Sequence, residues 1–136
     1  MADPVVNSGK VTLTTGYDEI ATSIVLTAGH GARLPDPVVD GAYNLGWWDA
    51  TTYADPIDDP NFEIIRVTGP AGTGDTKTIV RAQESTVAST KQTGASTYKM
   101  QLGPTAKTIT DITDRIDTIE STGVFDGEVI SGGTYT

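Results

Sequence analysis

Leu102 to Ile119, LGPTAKTITDITDRIDTI, is the stretch that decides how the chain is organised. Ile109, Ile112, Ile116 and Ile119 recur at spacings of three, four and three. Leu102 precedes Ile109 by one heptad, and Thr105 precedes Ile112 by one heptad. Thr, Asp, Arg and Lys fill the positions between. Two apolar positions in seven make a narrow seam, the pattern of a coiled coil rather than of a helix packed broadly on its own core. Isoleucine at both seam positions favours three strands or more over two. The seam runs for only about two heptads, and isolated helices below roughly 12–15 residues are marginal in water. The spacing therefore predicts a helix over 103–121 that leans on partners, and copies of itself are preferred over its own sheet. Gly103-Pro104 opens it, with Pro104 or Thr105 in the first turn, and Ser121-Thr122-Gly123 closes it. The expected interface of a homotrimer is Leu102, Ile109, Ile112, Ile116 and Ile119.

Working outward, the rest of the chain reads as β structure. The 136 residues suit one compact domain with a tail, and 37% hydrophobic content is enough for a small core. Thr, Gly, Val and Ile are plentiful, and Leu, Glu and Lys are scarce outside the tail. Residues 1–10 are expected to be a loose arm, since Pro4 and Asn7-Ser8-Gly9 form turns and little there anchors a core. Strands are expected over Val11–Thr15, Thr22–Thr27, Ala42–Trp48, Phe62–Val67, Thr76–Arg81 and Thr97–Leu102. In the fourth, Phe62, Ile64 and Arg66 are placed on one face. Ala28–Ala32 reads as a flexible turn, Leu34–Pro37 as extended chain and Gly69–Asp75 as a hairpin-like turn. Residues 122–136 form an extended tail, or a hairpin turned at Asp126-Gly127. The predicted fold is mainly β: a small antiparallel barrel or sandwich over 11–102, followed by one short C-terminal helix in a trimeric coiled coil.

Charge and composition exclude several functions. The net charge is −9 and the basic residues are scattered, which argues against nucleic acid as a partner. No apolar run of about 20 residues exists to span a membrane, and the N-terminus lacks the pattern of a signal peptide. Without cysteine there are no disulfides and no thiolate metal sites. The single histidine, His30, lies between two glycines, where a positioned general base is not expected. Asp55, Asp58 and Asp59, with Asn61, are weak candidates for a hard cation such as calcium. Their spacing is not that of an EF-hand, and a rigid turn with solvated charges is preferred. No cofactor is expected. Trp47-Trp48 suggests sugar stacking, but adjacent strand residues point to opposite faces. One Trp is then core and the other lies at the surface or between subunits, where aromatic residues anchor contacts. Arg81 and Glu84, close together at a strand end, are expected either to pin the turn, against a neighbouring subunit for example, or to form an exposed pair worth about 0–1 kcal/mol.

Phe62-Glu63-Ile64-Ile65-Arg66-Val67-Thr68, a glycine-rich turn and Thr78-Ile79-Val80-Arg81-Ala82-Gln83-Glu84-Ser85-Thr86 resemble a hairpin module of tailed-bacteriophage virion proteins. That module reads E-I-[IV]-R-V-T, then T-[IV]-x-R-[AG]-Q-E-G-T. A glycine-containing stretch, here Thr93-Gly94-Ala95, and a helix opening T-A-K-x-I-T-D-I follow it, the latter matched by Thr105 to Ile112. Leu34-Pro35-Asp36-Pro37 and Tyr43 to Asp49 are similar to it as well, so the resemblance covers roughly residues 10–120. It implies a non-enzymatic structural role in a virion: a trimeric capsid fibre or decoration protein contacting other virion proteins such as the major capsid protein, or else a tail-fibre or baseplate adaptor. Ser85 departs from the glycine the module prefers. The short stretch after the helix, with no shaft or receptor-binding tip, favours a small head or connector component. In this reading the arm or tail adds strand-to-strand contacts by β-augmentation. A carbohydrate-binding β module using Trp47 or Trp48 is the alternative of another class.

Overall fold

The computed structural model describes residues 3–6, 9–91 and 96–122. They fall into two compact units, a β unit of residues 3–103 and a unit that holds the helix. The β unit contains β1 (Gly9–Leu13), β2 (Ser23–Val25), β3 (Tyr43–Asp49), β4 (Glu63–Gly69), β5 (Thr76–Gln83) and β6 (Tyr98–Leu102). All pair antiparallel in one sheet, in the order β1-β6-β3-β4-β5-β2. The sheet curls into a half-barrel. Its two edges meet at a bridge between Leu13 and Leu26, where the Thr27 amide donates to the Thr12 carbonyl at 2.9 Å.

Period-two alternation places the core. In β5, Lys77, Ile79 and Arg81 turn inward while Thr76, Thr78 and Val80 turn out. Residues directly opposite on paired strands share a face, so the register builds layers. Val11, Met100, Trp47 and Glu63 form one row across four strands, and Tyr43, Val67 and Ile79 form another. Leu13, Ile24, Leu26, Leu34, Leu45, Ile65 and Leu102 complete the apolar interior.

β3 lies between β6 and β4 and is covered on both faces. Outside, the Phe62 ring sits over Gly46, where an added Cβ would come within 2.8 Å of it. Beside it the Trp48 indole donates to the Tyr53 carbonyl at 3.2 Å. As expected, Phe62, Ile64 and Arg66 share one face, and it is the outer one. Phe62 precedes the strand, and Glu63, Ile65 and Val67 point in, leaving Ile64 and Arg66 on the other side.

The N-terminal arm is not loose where it is described. Asp3 grips Arg66 through a two-pronged ion pair at 2.9 and 3.0 Å, and β1 already begins at Gly9. Ala28–Ala32 is likewise more ordered than expected. His30–Arg33 is a 3₁₀ turn, and the Asp75 carboxylate accepts from the Gly29 and Gly31 amides at 2.9 and 2.8 Å. The second strand is shorter than predicted; just past it, Leu26 bridges Leu13 of β1 while its amide donates to the Asp75 carbonyl at 2.9 Å. The turn between β4 and β5 falls where it was placed.

The helix α1 spans Ala106–Thr122. Thr105 caps it. Its hydroxyl accepts from the Thr108 amide and the Thr108 hydroxyl accepts from the Thr105 amide, at 3.4 and 3.2 Å. This is a capping box with Thr in place of the usual Glu. Lys107 and Asp111 pair at 2.6 Å one turn apart. The possible hairpin at Asp126-Gly127, with the rest of 123–136, lies outside the described residues, as does Thr93-Gly94-Ala95.

Candidate functional site

The sequence placed its interface on the helix, and α1 presents an apolar stripe. Ile109, Ile112, Ile116 and Ile119 are 58%, 48%, 50% and 38% exposed. Spacings of three and four keep them on one face. Leu102 does not join them. It ends β6, is buried in the β core and lies opposite Gly9, because the chain remains a strand until that residue.

Neither tryptophan is a surface residue. Trp47 is 0% and Trp48 3% exposed. Alternation correctly puts them on opposite faces, but both faces of β3 are covered, so no ring is left to stack on a sugar or to anchor a contact between subunits. Trp47 points into the half-barrel. Tyr17 packs edge-on against it with centroids 6.2 Å apart, Arg81 lies 5.1 Å from its centre and the Lys91 ammonium 5.6 Å.

Those cations belong to a buried charge cluster. Arg81 does not pair with Glu84. It reaches inward and holds both oxygens of Glu63 at 2.7 and 2.8 Å, and also donates to the Asp18 and Ser89 carbonyls. Period two turns it inward, in phase with Lys77 and Ile79, and a bulge lies beside it. Between Ile64 and Arg66 on one strand and Gln83 and Val80 on the other, β5 carries an extra residue, and Ala82 adopts φ 55°. The Ala82 amide donates to Glu63 as well. Lys91, bridged to Tyr17 through its backbone, brings its ammonium within 3.7 Å of Glu63 and donates to Asn61 O and Ser89 Oγ. Desolvation pushes the Glu63 carboxyl up. The Arg81 hydrogen bond, the Ala82 amide and the charges of Arg81 and Lys91 outweigh it, holding the carboxyl below the usual range. Burial is the largest influence on Lys91 and leaves its ammonium below the ordinary lysine value, against the pull of Glu63.

Glu84 lies instead on the outer surface of the sheet. It accepts from Asn44 Nδ2 at 2.6 Å, and Asn44 Oδ1 accepts from Arg66 at 2.8 Å, so Asp3, Arg66, Asn44 and Glu84 form one chain of contacts. The acidic loop is used for local turns. Asp55 caps a 3₁₀ turn at Pro56–Asp58. Asp59 is buried and accepts from the Asp49 and Asn61 amides, both at 2.8 Å. Asp58 is exposed. Among the described residues no group of three His, Asp or Glu side chains is placed to hold a metal ion. His30 is not a freely solvated turn residue: its Nδ1 accepts from the Thr12 amide at 3.0 Å and covers the edge of β1. Among the described residues no helix is long and apolar enough to cross a membrane.

Sequence reasoning missed Glu63, Lys77 and Lys91 as interior residues. Parity held the signal for two of them, since Glu63 is in phase with Ile65 and Val67, and Lys77 with Ile79. Lys91 is placed by a long return of the chain that no local period records. At the other end of the interior, Lys77 Nζ and Tyr43 Oη are buried without a hydrogen-bond partner. Burial lowers the Lys77 ammonium and raises the Tyr43 phenol. In comparisons with known proteins, no protein-family model and no curated protein sequence matches the chain.

Proposed function

We propose that this chain is a non-enzymatic structural component of a phage particle, a trimeric capsid fibre or decoration protein. Its β unit attaches to the virion surface, against a partner such as the major capsid protein, and the isoleucine stripe of α1 joins three copies. The observation that carries this reading is the exposure of all four isoleucines of α1. Fully burying an isoleucine is worth about 1.5–3 kcal/mol, so covering twelve half-exposed ones contributes on the order of 10 kcal/mol. Association costs of about 4–15 kcal/mol oppose this. The helices alone therefore make a weak trimer, and docking on a particle that holds three copies close together favours it.

The hairpin module adds support of a different kind. Ala82 and Ser85 have φ of 55° and 67°, the left-handed region that favours glycine. They occupy the two places where the resembled module accepts or prefers Gly. The carbohydrate reading loses its residues, because Trp47 and Trp48 are both enclosed.

Light scattering at rising concentration tests the assembly. The expected species has three times the 14.3 kDa chain mass. Ile112→Asp with Ile116→Asp should leave only monomer while the β unit keeps its fold. A wild-type chain that stays monomeric at the highest concentration it tolerates would overturn the trimer. Locating the chain in an image of an assembled phage particle tests the virion assignment, and absence from purified particles would sink it.

A further inference from the structure

We infer that the three helices run parallel and in register, clamped by an ion pair between Arg115 of one copy and Glu120 of the next; this rests on the trimer reading above. With Ile109 and Ile116 at heptad position a, and Ile112 and Ile119 at d, Arg115 takes g and Glu120 takes e of the following heptad. Positions g and e flank the seam. In a parallel assembly the g residue of one helix faces the e residue five positions further along its neighbour, and these contacts set partner choice and orientation. Arg115 and Glu120 are five apart and of opposite charge.

Both side chains are exposed on α1. Among the described residues neither forms an ion pair within the chain, whereas Lys107 and Asp111 already pair with each other. The other flanking positions, Ala106, Thr108 and Thr113, carry no charge. Arg115 and Glu120 are therefore the one charged flanking pair between Ala106 and Glu120. An antiparallel pairing sets g against g and e against e. It would press Arg115 against its own copy and give Glu120 no basic partner. The methylene stem of Arg115 also suits its place beside Ile116 and Ile119, covering apolar surface while its guanidinium reaches the neighbouring carboxylate. Three such pairs close a ring around the Ile116 and Ile119 layers.

Charge reversal and cross-linking in the full chain test this together. Arg115→Glu alone turns three attractions into three repulsions and should weaken the trimer about fiftyfold; Glu120→Arg should do the same. The double reversal should restore it. The chain has no cysteine, so Ile109→Cys introduces a single thiol. In a parallel trimer the thiols of neighbouring copies share a layer and form a disulfide under mild oxidation. In an antiparallel pairing position 109 lies opposite 119, so two such thiols would be about 15 Å apart along the axis, beyond disulfide reach. A trimer whose Ile109→Cys variant forms no cross-link, or one indifferent to the charge reversals, overturns the parallel clamp and leaves the trimer standing. A monomeric wild type overturns the trimer and the clamp with it.

Discussion

Replacing Glu63 by Gln should be among the most damaging single changes in the β unit. The side chain keeps its shape but loses the charge that answers two enclosed cations. Glu63 is 0% exposed, and its partners Arg81 and Lys91 have side-chain exposures of 8% and 1%. Removing one member of a buried ionic group costs about 3–5 kcal/mol, because the remaining charges are left uncompensated. Whole-domain stability is about 5–15 kcal/mol, so the loss is a large share of it. With a urea dependence of about 1–3 kcal/mol per molar, the unfolding midpoint should fall by about 2–3 M. Tryptophan emission is a suitable readout, since Trp47 lies within 5.1 Å of Arg81 and reports on the cluster. The pH dependence supplies a second readout. The folded carboxyl of Glu63 sits below its unfolded value, so its stabilisation is fully present above about pH 4.3 and is lost as pH falls through the folded pKa. The Gln variant should lose part of the acid limb. The remainder persists because Asp36 and Asp75 are also held low, chiefly by backbone amides. A midpoint shift below about 0.5 M, with an unchanged acid limb, would refute the view that Glu63 neutralises the interior.

Three further outcomes are expected. Ser85→Gly should stabilise the β unit by about 0.5–1 kcal/mol in urea unfolding, because an exposed side chain held at φ 67° gives way to the residue that favours that geometry. Gly31→Ala should cost about 1–3 kcal/mol in the same assay, since its Cβ would lie 2.2 Å from the Gly74 backbone carbonyl, which cannot swing aside like a side chain. Acrylamide should quench the native protein's fluorescence weakly and the urea-unfolded protein strongly, as both tryptophans are enclosed.

Local rules recovered the local features. The β4–turn–β5 hairpin, the helix and the six strands all follow from period and turn residues, though the helix opens at a Thr105 cap rather than at Gly103-Pro104. What failed depended on neighbours distant in sequence. Period two places Trp47 and Trp48 on opposite faces, but only the central position of β3 and the overlying Phe62 and Tyr53 decide that both are covered. Arg81 and Glu84 are near in sequence, yet Arg81 turns inward in phase with Ile79 and meets Glu63, eighteen residues earlier, whereas Glu84 meets Asn44 on the outer face. Leu102 fits the heptad count but belongs to β6, since the helix starts only at Ala106. The arm looked unanchored because Asp3 finds Arg66 only in the folded sheet.

The edge of β1 carries a consequence for how the protein behaves in bulk. An outer strand with open amides and carbonyls invites growth by addition of foreign strands. Here Arg33 occupies the Lys10 carbonyl, His30 the Thr12 amide and Thr27 the Thr12 carbonyl. Chain-end polymerisation through this border is blocked by the molecule's own groups. Concentrated stocks should remain dispersed as discrete particles rather than thicken into fibrils.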